Sequence, residues 1–116
     1  VMAAEASGAP PAQATLDGSA FIVPTNNEVW RFRAGIAARC VAASKAWAYD
    51  LEFAVTNFGG TLTQLGTTDV GFDKKTGSTT WTAAVYVSGD NVSITVTGAV
   101  GETVDWTVDF WYVKVG

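Results

Sequence analysis

Apolar and polar residues alternate with a period of two over most of the chain beyond residue 28, and no segment repeats with the period of a helix. In residues 80–88 the side chains of Trp81, Ala83, Val85 and Val87 share one face, because successive strand residues point to opposite sides. Residues 91–97 set Val92, Ile94 and Val96 against Asn91, Ser93, Thr95 and Thr97. Only Gly89 and Asp90 stand between these segments, a two-residue loop of the kind that suits the primed turns of hairpins. The predicted register places Ser88 opposite Asn91, Val87 opposite Val92, Val85 opposite Ile94 and Ala83 opposite Val96. A turn at residues 98–102 then leads to a strand over 103–115 with Val104, Trp106, Val108, Phe110 and Tyr112 on the core side. The last third of the chain therefore reads as three antiparallel strands laid side by side.

The first half carries the same signal. Residues 28–41 put Trp30, Phe32, Ala34, Ile36, Ala38 and Cys40 on one face and Val29, Arg31, Arg33, Gly35, Ala37, Arg39 and Val41 on the other. Residues 46–58 set Trp47, Tyr49, Leu51, Phe53 and Val55 against Ala48, Asp50, Glu52, Ala54 and Thr56. With residues 42–45 as the loop, these two strands form a hairpin in which Cys40 opposes Trp47, Ala38 opposes Tyr49, Ile36 opposes Leu51 and Ala34 opposes Phe53. Arg39 then lies diagonal to Asp50 and Arg33 diagonal to Glu52, within reach of long side chains. That gives a solvated strand face held by weak ion pairs. Residues 16–23 predict a short edge strand ended by Pro24, residues 61–65 and 67–72 two short glycine-bounded strands, and residues 73–78 an exposed loop. The small-residue leader has no period, so residues 1–14 read as a flexible arm or linker and 15–116 as one all-β domain. A chain that begins at Val with such a leader reads as a piece of a longer polypeptide or a processed product, and it lacks the basic start and apolar stretch of a signal peptide. Seven to eight strands with frequent turn signals predict a single antiparallel β-sandwich of the jelly-roll or Ig-like kind. Its expected core is Trp30, Phe32, Ile36, Trp47, Leu51, Phe53, Trp81, Val85, Ile94, Trp106 and Val108.

Composition narrows the function. At 116 residues the chain is one domain's worth, and 48% hydrophobic against 16% charged residues leaves less surface charge than is usual, so a partner is expected to cover some of it. A net charge of −4 and a pI near 4.5 argue against nucleic acid, whose phosphates call for clustered Lys and Arg. Insertion into a membrane is not expected, because no apolar run is long enough for a spanning helix. Cys40, alone, cannot form an intramolecular disulfide and reads as a small buried hydrophobe. The absence of histidine removes the commonest general base and metal ligand. Asp50 with Glu52, and Asp105 with Asp109, pair carboxylates only along open strands, whereas a glycosidase needs them across a cleft. Asp69, Asp73, Asp90 and Asn91 lie in turns, which accounts for them without calcium. No catalytic residue, metal site or cofactor is expected. Asn91-Val-Ser93 has the form of a glycosylation acceptor and carries no further weight.

The feature with functional content is the run from Asp109 to Val113. Register turns Trp111 and Val113 outward together with Asp105, Thr107 and Asp109, and an apolar pair on a wet face marks a contact surface. Three occupants fit it: another subunit, the arm folding back, or a ligand such as a sugar ring on Trp111. Subunit packing is the leading expectation.

The sequence from Trp81 through Val96-Thr97-Gly98 to Val104-Asp105-Trp106 resembles the carboxy-terminal module of tail-fibre, tail-spike and related virion proteins of tailed bacteriophages. There a tryptophan-bearing strand is followed by a Val-Thr-Gly turn and an Ile/Val-x-Trp strand. The stretches opened by Val29-Trp30-Arg31-Phe32 and Tyr49-Asp50-Leu51-Glu52-Phe53 look like the earlier half of the same module, so the resemblance covers residues 28–115. It implies a non-enzymatic structural module of the extracellular particle, at an appendage tip concerned with assembly or host-surface attachment. The partners it implies are copies of the chain, with a trimer favoured, other virion proteins and a host cell-surface glycan. A carbohydrate-binding module and a capsid-decorating protein of the cement or head-fibre kind are the alternatives.

Overall fold

A computed structural model describes residues 2–6, 13–15, 24–88 and 91–116. Eight strands follow in order among them: β1 (Met2–Ala6), β2 (Gln13–Thr15), β3 (Glu28–Cys40), β4 (Lys45–Phe58), β5 (Thr61–Lys75), β6 (Thr82–Ser88), β7 (Asn91–Thr97) and β8 (Val104–Val115). They form a five-stranded sheet in the order β1-β8-β3-β4-β5 and a three-stranded sheet in the order β2-β7-β6, with antiparallel pairing throughout. One core joins the two sheets, and the fold is an all-β sandwich. The leader expected as an unpatterned arm supplies two short strands, one to an edge of each sheet. The strand expected over residues 16–23 and the turn residues Gly89 and Asp90 lie outside the described residues.

Alternation fixes the faces. Along β3 every second residue from Trp30 to Cys40 is buried, and Phe32, Val55, Ile94, Val96, Val104 and Val108 lose all contact with solvent. Burying a side chain of this size contributes about 1.5–3 kcal/mol. Every expected core residue is buried except Val85, which packs half-buried against the rest. Cys40 is buried, as a small hydrophobe should be. Phe32 stacks on Phe53 at 5.0 Å between ring centroids, and Trp106 meets Trp47 edge-on at 5.9 Å and Trp81 at 6.0 Å. Such ring pairs add roughly 0.5–1.5 kcal/mol beyond the area they bury.

The β6–β7 hairpin has the predicted register, from Ser88 opposite Asn91 to Ala83 opposite Val96. Two other pairings differ from expectation. The β3–β4 loop is residues 41–44 rather than 42–45, so Cys40 opposes Lys45, Ala38 opposes Trp47, Ile36 opposes Tyr49 and Ala34 opposes Leu51. The cause is local: Ser44 takes a left-handed conformation (φ 54°) and donates its N–H to the Val41 carbonyl at 3.2 Å, which closes the turn before Lys45. The second difference is larger. β8 does not lie beside β7; residues 98–103 carry the chain across to the other sheet, where β8 inserts between β1 and β3. Residues 61–72, expected as two strands, are part of one long β5 that also takes in Asp73–Lys75 of the expected loop.

The rim of the core is tied by carboxylates. Glu28 is buried and accepts hydrogen bonds from the Thr25 N–H, the Trp30 indole N–H at 3.1 Å and the Lys114 ammonium at 3.1 Å. At the other end of β3, Glu102 accepts from the Trp81 indole at 2.9 Å and pairs with Lys45. Trp47 donates to Asp73 at 2.7 Å. Three buried indoles thus satisfy their N–H groups on carboxylates, which a buried donor needs.

Candidate binding groove

The outer face of the five-stranded sheet brings together side chains from three strands. On β3 the outward positions are Arg31, Arg33, Gly35, Ala37 and Arg39; on β8 they are Asp105, Thr107, Asp109, Trp111 and Val113. The pairing places Val113 opposite Arg31, Trp111 opposite Arg33, Asp109 opposite Gly35, Thr107 opposite Ala37 and Asp105 opposite Arg39. On the far side of β3, β4 contributes Asp50 opposite Gly35 and Glu52 opposite Arg33. A shallow groove of about 420 Å³ runs over Gly35, with Trp111 and Asp109 on one wall, Asp50 and Glu52 on the other, and the two guanidinium groups between them.

Its charges are organised diagonally. Arg31 reaches Glu52 through Nη2 at 2.8 Å, and Arg33 reaches Asp50 through Nη2 at 3.0 Å. The expected partner of Arg33 was Glu52; moving the β3–β4 loop by one residue brings Asp50 into the diagonal position. Arg39, expected near Asp50, lies directly opposite Asp105 and pairs with it at 3.3 Å. These are exposed pairs, and solvent screening leaves such pairs a small share in stability. Their hydrogen bonds still have an electrostatic consequence: Asp50 pushes the Arg33 guanidinium further towards its charged form.

Trp111, 53% exposed, lines the groove together with Arg31, Arg33, Asp50 and Glu52, so the outward orientation read from register holds in the fold, and Val113, opposite Arg31, is 51% exposed. The Arg31 guanidinium lies over the Trp111 ring, 5.9 Å from its centroid, a cation–π contact. Tyr112, on the inward side, is nonetheless 50% exposed and rests on Trp30 at 4.7 Å. The twelve-residue β8 outruns the seven-residue strands of the smaller sheet, so its end is only partly covered by them. The side chain of Phe110 lies outside the description. Of the outward β8 residues, Asp109 and Trp111 line the groove, Asp105 and Thr107 line a separate hollow of about 230 Å³ beside Arg39, and Val113 lines neither.

The floor and far wall have backbone features that alternation does not reveal. A Cβ on Gly35 would meet Asp50 Oδ1 at 3.4 Å and the Asp109 carbonyl oxygen at 4.0 Å, and Gly35 has no positive φ that would call for glycine. The β4–β5 pairing slips twice, between Asp50 and Leu51 and between Glu52 and Ala54, so an irregularity stands beside each of the two β4 carboxylates of the groove. Gly66, in left-handed conformation (φ 66°), lies in one of these slips, and the Gln64 amide closes it on Thr68 Oγ1 at 2.9 Å. Bulges of this kind re-aim the side chains around them. Among the described residues, no group of three or more His, Cys, Asp and Glu side chains could hold a metal ion.

In comparison with known proteins, the chain matches no family model, no curated sequence and no solved structure.

Proposed function

We propose that this chain is a non-enzymatic attachment module of a tailed-phage virion appendage, a rigid β-sandwich that offers the outer face of its larger sheet to the host surface. The observation that carries the attachment role is the groove beside Trp111: an exposed indole among paired charges on the outer face of a sheet. The placement on a virion is supported by the resemblance of residues 28–115 to phage appendage modules. The ring of charge around Trp111 favours a ligand over a second subunit, because the centre of a subunit interface is depleted of charged residues and burying ion pairs there carries a large desolvation cost. In a trimeric appendage this reading turns the outer face of the five-stranded sheet away from the threefold axis. Antibody raised against the domain tests the location directly. Gold-labelled antibody should decorate appendage ends in electron micrographs of the particles that encode the chain. Label confined to the capsid shell, or absent from the particle, contradicts the placement.

A further inference from the structure

We infer that the groove between Trp111 and Asp50 takes a neutral polyhydroxylated ring, a hexose or N-acetylhexosamine unit of a surface glycan. The inference rests on the attachment reading for its biological setting and on the groove for its chemistry. The aromatic wall comes first. Sugar rings present C–H faces that pack on an indole, and Trp111 is exposed and outward, with Arg31 over one face of its ring and the other face left for a ligand. The polar lining then selects among ligands. Two guanidinium groups stand with the carboxylates of Asp50 and Glu52, so the groove offers donors and acceptors side by side.

A hydroxyl group both donates and accepts, which matches such a mixed lining. A phosphate or carboxylate ligand only accepts, and it would stand beside the carboxylates of Asp50 and Glu52. A simple cation would compete with guanidinium groups already seated on Glu52 and Asp50. Each of those seats uses one nitrogen of the Arg and one oxygen of the acid. The remaining N–H donors of Arg33 and the Oδ1 atom of Asp50, which lies over Gly35, are placed to bind hydroxyls.

Gly35 is the second, independent sign. Glycine in the middle of a strand weakens it and often marks a close approach from outside. No backbone strain requires it here, and any Cβ would rise into the groove beside Asp50 Oδ1. The residue keeps the floor clear.

The test is binding of the purified domain to an array of neutral hexose and N-acetylhexosamine oligomers, with sialylated and phosphorylated oligomers beside them, followed by titration calorimetry on the best binder. Wild type should favour neutral glycans. Trp111→Ala and Gly35→Val, one removing the wall and the other filling the floor, should each weaken binding at least tenfold while keeping the wild-type circular dichroism and melting temperature. Lys74→Ala, which lies opposite Ala48 on the same face but outside the groove, should bind as wild type does. Preference for anionic glycans, binding unchanged in both groove variants, or no binding by wild type overturns the inference. So does sedimentation of wild type as an oligomer that Trp111→Ala dissolves, since the groove is then a contact between copies. Glycan binding without appendage labelling would remove the virion placement and leave this site standing; labelling without glycan binding would do the reverse.

Discussion

Glu28 is the residue on which the ends of the described sandwich converge. The hydrogen bonds from Thr25, side chain first and backbone second, are the main cause of its depressed pKa, with Trp30 and Lys114 adding to them while burial works in the opposite direction. The carboxyl titrates at about 2 against an ordinary 4.5. As pH falls, the unfolded chain therefore takes up this proton before the folded one does. The stability that Glu28 contributes is fully present above pH 4.5 and drains away as pH drops towards 2. Glu102, lowered first by its bond with Lys45 and then by Trp81, acts in the same direction at the opposite end of β3. Glu28→Gln should lower the melting temperature at neutral pH and make its decline below pH 4.5 shallower than in wild type. Thermal melts of both proteins from pH 7 to pH 2 check this, and parallel curves would mean that the buried carboxylate does not matter. These ties were not visible in the sequence, because a glutamate two residues from a tryptophan on a strand is unremarkable until Lys114 arrives from the other end of the chain.

At the level of elements, strand faces were legible and strand neighbours were only partly so. A loop moved by one residue shifts a hairpin register by two, and a shift of two leaves every side chain on the same face. Alternation therefore placed Phe32, Leu51 and Trp47 in the core correctly while misplacing the β3–β4 loop. What decided the loop was the left-handed conformation of Ser44, a preference that a serine does not advertise. The β6–β7 turn, by contrast, carried its own signal in two adjacent turn residues. Ser44 supplies a prediction. The left-handed region costs an L residue roughly 1–2 kcal/mol, and glycine escapes that cost. Ser44→Gly should be neutral or raise stability by up to about 1 kcal/mol, whereas Ser44→Val, with a branched Cβ in the same conformation, should lower it by about 1 kcal/mol or more. Urea denaturation of the three proteins measures both effects, and equal midpoints for Gly and Val would show that the turn does not hold this conformation in solution.

For the whole molecule the decisive feature is the crossing of β8 into the larger sheet. Both sheets turn an apolar face to one core, so the inward residues Val104, Trp106 and Val108 would be buried beside either β7 or β3, and alternation is silent on the choice. The crossing creates the groove. Beside β7, Trp111 would have had only the small polar residues of that strand for neighbours; beside β3 it stands next to Arg33 and under Arg31, with Asp50 and Glu52 one strand further on. Sequence reasoning had both halves, an outward tryptophan and a charged strand face, and lacked the adjacency that makes them one surface. Gly35 and the β5 irregularities complete that surface without leaving a mark in the hydrophobic pattern. On the proposed function, this outer face is where the domain meets its ligand. Amide chemical-shift mapping of the ¹⁵N-labelled domain during titration with a neutral hexose or N-acetylhexosamine oligomer is the measurement that decides it. Shifts should concentrate at residues 31–35, 50–52 and 109–113. Shifts gathered on β6 and β7, with the amides around Gly35 and Trp111 unmoved, would contradict it.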